Sequence, residues 1–194
     1  MTSHLVIRSS ANGAASISNR LIDAWLAAHP GAVTERNLDA APVPHVTAAS
    51  LAGIGRVAPE GRDFAEARAL ADRLIAEVMA ADVLVFGLPL YNFGMPSTLK
   101  SWFDYVLRAG TTFRYTAQGP EGLVTGKRAV IAHARGGKYD DSAGIALALP
   151  HLRTLLGFMG VTAVDVVTAE GIAFGPEAAE AAAAEASARI AALA

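Results

Sequence analysis

The sequence predicts a single α/β domain over residues 1–194, built on a doubly wound parallel sheet with helices on both faces. Three observations lead there. The chain has 194 residues, enough to bury one sizeable core and cramped for two. Five short apolar runs alternate with stretches of helical period, the pattern of repeated βα units. One run, residues 83–88, is apolar at every position, as a central parallel strand covered on both faces is.

Each element has its own reason. Residues 4–8 form an apolar run bounded by Ser9, Ser10, Ala11, Asn12 and Gly13, so a buried strand followed by a loop. Ser16 or Ser18 can cap a helix that carries Leu21, Ile22, Trp25 and Leu26 on one face, and Pro30-Gly31 stops it. Residues 32–38 alternate with charges and read as an edge strand. Residues 39–60, rich in proline and glycine, read as a connection, an Ω-type loop or a short helix. Phe64, Ala67, Leu70, Ala71, Leu74, Ile75 and Val78 keep the 3.6-residue period of a helix over 63–81. Residues 89–96 are a loop. Ser97 is expected to cap a helix through Leu107, which Gly110 ends. A long loop then leads to a fourth strand over 128–134, closed by Arg135, Gly136 and Gly137. Residues 143–158 read as a helix, 161–168 as a fifth strand and 177–193 as an alanine-rich terminal helix. Strand order is not readable from periodicity.

Composition removes whole classes of function. Hydrophobic residues make up 53% of the chain, but 42 residues are alanine and only 7% are aromatic, which suits packed helices. The uncharged run 83–99 contains Pro89, Asn92 and Pro96 and cannot be a continuous spanning helix, so no membrane is expected. A net charge of −2 argues against nucleic acid. The polar start runs straight into an apolar strand without the regions of a signal peptide, and a cytoplasmic location is expected. With no cysteine, thiolate nucleophiles, Fe–S clusters and thiol redox chemistry are excluded. The five histidines have no HxH or HxxxH spacing, so no metal is expected. His133, inside a strand, reads as a satisfied core histidine rather than a general base. No GxSxG elbow exists, and Asp140-Asp141 reads as solvated loop.

In such sheets ligands bind beyond the carboxyl ends of the strands, which singles out three loops. The first gathers Ser9, Ser10, Ser16 and Ser18 around a helix start, where free amides and the dipole favour one terminal phosphate. The second, Pro89, Leu90, Tyr91, Asn92 and Phe93, offers aromatics and exposed backbone to a flat heteroaromatic ring. The third, Ala134, Arg135, Gly136 and Gly137, lets amides approach a ligand closely, with Arg135 adding charge. Taken singly, each also reads as ordinary capping or turn formation. Together they describe a site for a flat ring with one phosphate, which is FMN rather than a dinucleotide.

These residues carry a resemblance. The chain resembles the FMN-dependent NADH-azoreductases, which are flavodoxin-like NAD(P)H:quinone oxidoreductases. The match runs nearly end to end: the serine loop, residues 89–93, 97–100, 108–116, 119–123, 135–137 and 169–172. Residues 108–123 are the most specific stretch. The resemblance implies a flavodoxin-like sheet of order 2-1-3-4-5 and a homodimer with its active site at the interface. It implies non-covalent FMN, with its phosphate at Ser10, Ser16, Ile17 and Ser18. The ring would lie along Pro89, Leu90, Tyr91, Asn92 and Phe93, with Ala134, Arg135, Gly136 and Gly137 at its pyrimidine edge. Tyr115 and Phe158 would wall the substrate pocket, supplied by the partner subunit. No catalytic side chain is implied, because hydride passes through N5 of FMN: NADH or NADPH reduces the flavin, then a quinone or azo acceptor oxidises it, in ping-pong order. Three departures stand out: Ala134 replaces a Ser or Thr frequent in the family, Ile17 replaces a polar residue, and the 39–60 segment is shortened. The alternatives are a flavodoxin-type electron carrier without reductase activity of its own and a ligand-free regulatory domain on the same fold.

Overall fold

In the computed structural model, which describes residues 1–48, 50, 51, 53, 54, 65–139 and 144–194, the chain begins with β1 (Ser3–Arg8), α1 (Ile17–Ala28) and β2 (Ala32–Asn37). There follow α2 (Ala65–Ala80), β3 (Val83–Pro89) and α3 (Ser97–Val106). A short hairpin, β4 (Phe113–Thr116) and β5 (Gly119–Gly122), precedes β6 (Arg128–Ala134), α4 (Ala148–Met159), β7 (Ala163–Ala169) and α5 (Pro176–Ala191). Five strands pair in the order β2-β1-β3-β6-β7, all parallel. This is the flavodoxin-like order that the resemblance implies.

The pleat sorts the core into two layers. Leu5, Ile7, Leu84, Phe86 and Leu88 face α2, α3 and α4, where Leu74, Ile75, Trp102, Phe103, Leu152 and Leu156 meet them. Val6, Val85, Val130 and Ala132 face α1 and α5, against Leu21, Ile22, Trp25, Ala186 and Ile190. Every residue of β3 is buried, because helices cover both of its faces. The edge strand β2 is exposed at most positions, which explains its charges. Ala183 and Ala186 are buried in α5, so part of the alanine excess lets helices approach closely.

Local rules account for several differences from expectation. Ser16, not Ser18, caps α1, its hydroxyl accepting from the Asn19 amide. Ser97 does not cap α3: Pro96 holds the N-cap position and Ser97 is the first helical residue. The carbonyl of Pro96 accepts the Lys100 amide, and proline costs nothing where no intrahelical donor is required. The helix predicted over 143–158 begins at Ala148, placing Pro150 in the first turn, where its missing N–H is harmless. The loop expected before β6 contains the β4–β5 hairpin, whose second strand is Gly-Pro-Glu-Gly and carries turn composition rather than strand composition. Asp63, Phe64 and the Asp140-Asp141 pair lie outside the described residues.

The hairpin sits on the end of α4 through a glycine contact. A Cβ on Gly122 would stand 2.1 Å from the Gly160 nitrogen and 2.3 Å from the Met159 carbonyl carbon. Gly160 itself closes α4 at φ +100°, a left-handed C-cap. Gly122→Ala therefore forces backbone apart, and a loss of about 1–3 kcal/mol is expected in denaturant unfolding.

Near the amino end of β1, His4 is buried, and neither ring nitrogen has a hydrogen-bond partner. It stands edge-on to Trp25, which stacks on His29. Desolvation, followed by the nearby His29, pushes the His4 pKa below 6.5. The unfolded chain thus binds more protons than the folded one, so stability falls as pH drops through the unfolded value. His4→Leu should flatten the fall in melting temperature between about pH 7 and pH 5, measured beside the parent.

Candidate functional site

The carboxyl ends of β1, β3 and β6 carry the three predicted loops to one cleft of about 180 Å³. The first loop lines it with Ser10, Ser16, Ile17 and Ser18; the second with Pro89, Leu90 and Tyr91; the third with Ala134, Arg135 and Gly136. Asn12, Ala15 and Ile172 complete the wall, and sequence reasoning missed them. Larger grooves of about 490 and 450 Å³ lie between β7 and α5 and beside β2, but the three loops converge only on the smaller cleft. Asn92, Phe93 and Gly137 sit in the same loops just beyond its walls. Tyr115 and Phe158 do not line it: both pack around Phe113, with ring centroids 5.5 and 4.5 Å away, and Tyr115 is 74% exposed.

The first loop has the geometry of an anion cradle. The Ser16 and Ser18 hydroxyls lie 3.1 Å apart and buried. The first bond of the α1 ladder runs from the Arg20 amide to the Ser16 carbonyl, so the Ile17 and Ser18 amides precede it and point out of the helix end. No acidic residue occupies that first turn, and the dipole adds positive potential there. A Cβ on Gly87 would stand 3.0 Å from Ile22 Cδ1 and 3.5 Å from Ser18 Oγ, so glycine in β3 lets this end of α1 sit close to the sheet. The arrangement fits one phosphate group.

The second loop is a tight turn. Tyr91 and Gly94 exchange backbone hydrogen bonds of 3.0 and 2.9 Å, with Asn92 at φ +47° and Phe93 at φ +67°. Two left-handed residues in succession define the type I′ geometry, and only the asparagine suits it. Phe93 in that region stores strain of order 1 kcal/mol. The Tyr91 hydroxyl ties this loop to the first, 3.2 Å from Ser10 Oγ and accepting from the Ala11 amide at 3.0 Å. Tyr91 thus fastens two walls together.

In the third loop the backbone faces the ligand space. The carbonyls of Arg135, Gly136 and Gly137 accept from the amides of Ile172, Ala173 and Gly171 at 3.5, 2.9 and 3.3 Å. Peptides are planar and trans, so turning those carbonyls to one side turns the amides of Gly136, Gly137 and Lys138 to the other. The Gly136 and Gly137 amides carry no hydrogen bond to the protein among the described residues. Sequence reasoning made Arg135 a source of positive charge. Its guanidinium is buried and paired with Glu170, Nε and Nη2 lying 2.9 and 2.6 Å from Oε2, so a carboxylate offsets that charge. His133 is buried with Nδ1 2.8 Å from the Leu88 carbonyl, a core histidine. Among the described residues no three His, Cys, Asp or Glu side chains gather as a metal site, and no helix is long and apolar enough to cross a membrane.

A family model described as "Flavodoxin-like fold" matches residues 2–194. The chain belongs to this flavodoxin-like family. It is 49% identical over 185 residues to the FMN-dependent NADH:quinone oxidoreductase of Hyphomonas neptunium (strain ATCC 15444), covering 92% of this chain and 88% of that protein. It is 49% identical over 195 residues to the protein of the same name from Yersinia pestis (strain Pestoides F), covering 96% and 95%. The azoreductase from Bacillus anthracis str. Sterne superposes with TM-score 0.85 at 31% identity, over 98% of this chain and 97% of that one. An FMN-dependent NADH-azoreductase from Bacillus anthracis str. Ames Ancestor, solved in complex with FMN, shares the fold at TM-score 0.80 and 24% identity, over 98% of each chain. Cradle, turn and amide-lined loop thus belong to a flavodoxin-like chain whose relatives carry FMN in their names.

The strained turn gives a direct test. Phe93→Gly relieves the left-handed backbone and should leave the ligand-free chain as stable as the parent, or up to about 1 kcal/mol more stable in denaturant unfolding.

Proposed function

We propose that this chain is an FMN-dependent NAD(P)H oxidoreductase that reduces quinones and azo compounds by two electrons at a time. The observation that carries the reading is the shared cleft, which sets an anion cradle at one helix start beside an amide-edged loop. When bound, FMN would supply hydride chemistry, accepting from NAD(P)H and delivering to the acceptor. Ser16, Ser18 and the Ile17 amide would hold the phosphate, and Ile17 needs no polar side chain for a backbone contact. Ser10 lies at the same end. Pro89 and Leu90 give an apolar wall for a ring, with Tyr91, Asn92 and Phe93 continuing it. The Gly136 and Gly137 amides set partial positive charge on the opposite side of the cleft, where they would stabilise negative charge on a bound group. Ala134 and Arg135 hold that loop to β7: the Arg135 amide donates to the Ala169 carbonyl at 2.9 Å. No protein acid or base is required for hydride transfer, and donor and acceptor would use the cleft in turn, which is ping-pong order.

The functional unit we propose is a homodimer with the site at its seam. Phe93, Tyr115, Ile145 and Leu147 are 50, 74, 49 and 54% exposed, a set of apolar side chains that a second copy would cover. Tyr115 and Phe158, remote from the cleft of their own subunit, then serve the partner's. A flavodoxin-type carrier is the weaker reading, because 16 basic against 18 acidic residues supply no acidic docking surface.

The test is colour and kinetics. Protein mixed with FMN and desalted should be yellow, bleach anaerobically with NADH and recover on adding a quinone, with parallel double-reciprocal lines. Ser18→Ala, which spares the Ser16 cap, should weaken FMN binding by roughly 10-fold or more, since a hydrogen bond to a charged group contributes about 1.5–3 kcal/mol. A chain that stays colourless with FMN sinks the proposal; a yellow chain that NADH does not bleach favours the carrier.

A further inference from the structure

The last residue of β1 is a charged hub beside the anion cradle. Arg8 has a side chain only 13% exposed, and it is bonded along its whole length. Its carbonyl accepts the Leu38 amide at 2.8 Å, and the next residue, Ser9, donates its hydroxyl to the Gly87 carbonyl at 2.6 Å. The serine loop thus leaves the sheet from a fixed point. The guanidinium reaches two further elements: Nη2 lies 2.6 Å from Asp23 Oδ1 on α1, Nε lies 3.0 Å from Glu35 Oε2 on β2, and Nη1 donates to the Asn19 carbonyl at 3.2 Å. Asn19 is also the residue whose amide donates to the Ser16 hydroxyl oxygen at 3.2 Å, and its side-chain nitrogen lies 3.4 Å from the Gly13 carbonyl. Because the Ser16 oxygen already accepts, its proton is free to point at Ser18 or at a phosphate oxygen. Arg8, Asn19, Asp23 and Glu35 line one polar groove of about 450 Å³ that adjoins the cleft, with Ser10 and Ser16 in the walls of both.

We propose that Arg8 is a positioning residue of the cradle: it fixes the first turn of α1 through the Asn19 carbonyl and cancels the charge of Asp23 and Glu35, which would otherwise repel a bound phosphate. The inference rests on the flavin reading above and adds a residue that reading does not use. The charge balance of the groove carries it. Arg8 and Arg20 stand there against Asp23, Glu35 and Asp39, and Arg20 is committed to Glu180 on α5 through contacts of 2.7 and 2.9 Å. Asp39 pairs with no cation among the described residues. Arg8 is thus the charge that keeps two carboxylates from facing the cradle uncompensated. A guanidinium suits the task because its planar fork meets two carboxylates and a carbonyl at once, which the compact ammonium of a lysine does not. Asp23 and Glu35 are exposed, so what they exert on an anion acts partly through water and weakens with salt.

The experiment titrates FMN with the full chain freed of flavin and reads the dissociation constant from quenched flavin fluorescence, at about 0.01 M and about 0.5 M salt, between which the Debye length falls from about 30 Å to below 10 Å. Arg8→Met should weaken FMN binding roughly tenfold at low salt and only about threefold at high salt. Arg8→Lys, which keeps the charge and loses the fork, should stay within about threefold of the parent. Glu35→Gln should act in the opposite direction and tighten FMN about two- to threefold at low salt, because it removes negative charge while Asp23 and Asn19 still hold Arg8. A residue that only supports the fold gives losses in all three variants, equal at both salts, and that pattern overturns the proposal. If Arg8→Met does not fold, Glu35→Gln still reads the sign: tighter binding supports the proposal and weaker binding overturns it. A parent that takes up no FMN overturns the flavin reading and this inference with it. A parent that binds FMN, beside an Arg8→Met variant that binds it equally well, overturns this inference alone.

Discussion

β3 has no face in water. All seven of its residues are buried, and a strand so placed must be covered by helices on both sides. That requirement puts α1 and α5 on one face and α2, α3 and α4 on the other, and it fills the hydrogen-bonding edges of β3 with β1 and β6. Only the end of the strand is left to meet solvent. The loop that follows therefore carries the polar and strained residues that the strand cannot, and the neighbouring ends of β1 and β6 bring the serine loop and the glycine loop beside it. The cleft is a consequence of burial: ligand-binding groups collect where the covered sheet stops.

Within the cleft the backbone presents most of the donors that make no hydrogen bond to the described residues. The α1 cradle presents amides of Ile17 and Ser18, and the loop after β6 presents those of Gly136 and Gly137 because their carbonyls are committed to residues 171–173. Both sets are fixed before any ligand arrives, so they need little reorganisation when charge develops against them. Side chains act mainly as fasteners. Tyr91 ties the serine loop to the turn after β3, and Glu170 with Arg135 ties the glycine loop to the end of β7.

Sequence reading did well where a periodic signal met a single physical cause. The apolar run 83–88 announces a strand buried on both faces, and the helical period of Leu70, Ala71, Leu74, Ile75 and Val78 reflects one stripe on a flat core. It did less well where opposing rules compete. The β4–β5 hairpin hides because Gly119, Pro120 and Gly122 have turn composition, and what demands a glycine is the backbone of Gly160 across the contact, which local sequence does not display. Ser97 looks like a cap only until Pro96 takes that position. In the site, the serines, Leu90 and the glycine pair were legible because loops after parallel strands are where ligands bind. Glu170 was visible as part of the family stretch 169–172, but its pairing with Arg135 was not.

This division between backbone and side chain also explains which departures from the family pattern are tolerable. A backbone amide does not change when its side chain does, so Ile17 keeps its cradle amide in place of a polar residue. Ala134 likewise keeps its carbonyl bonded to the Leu90 amide at 2.8 Å, which holds the second and third loops together without a hydroxyl. A chain built this way can drift in the residues that frame the cofactor space and still hold the same group.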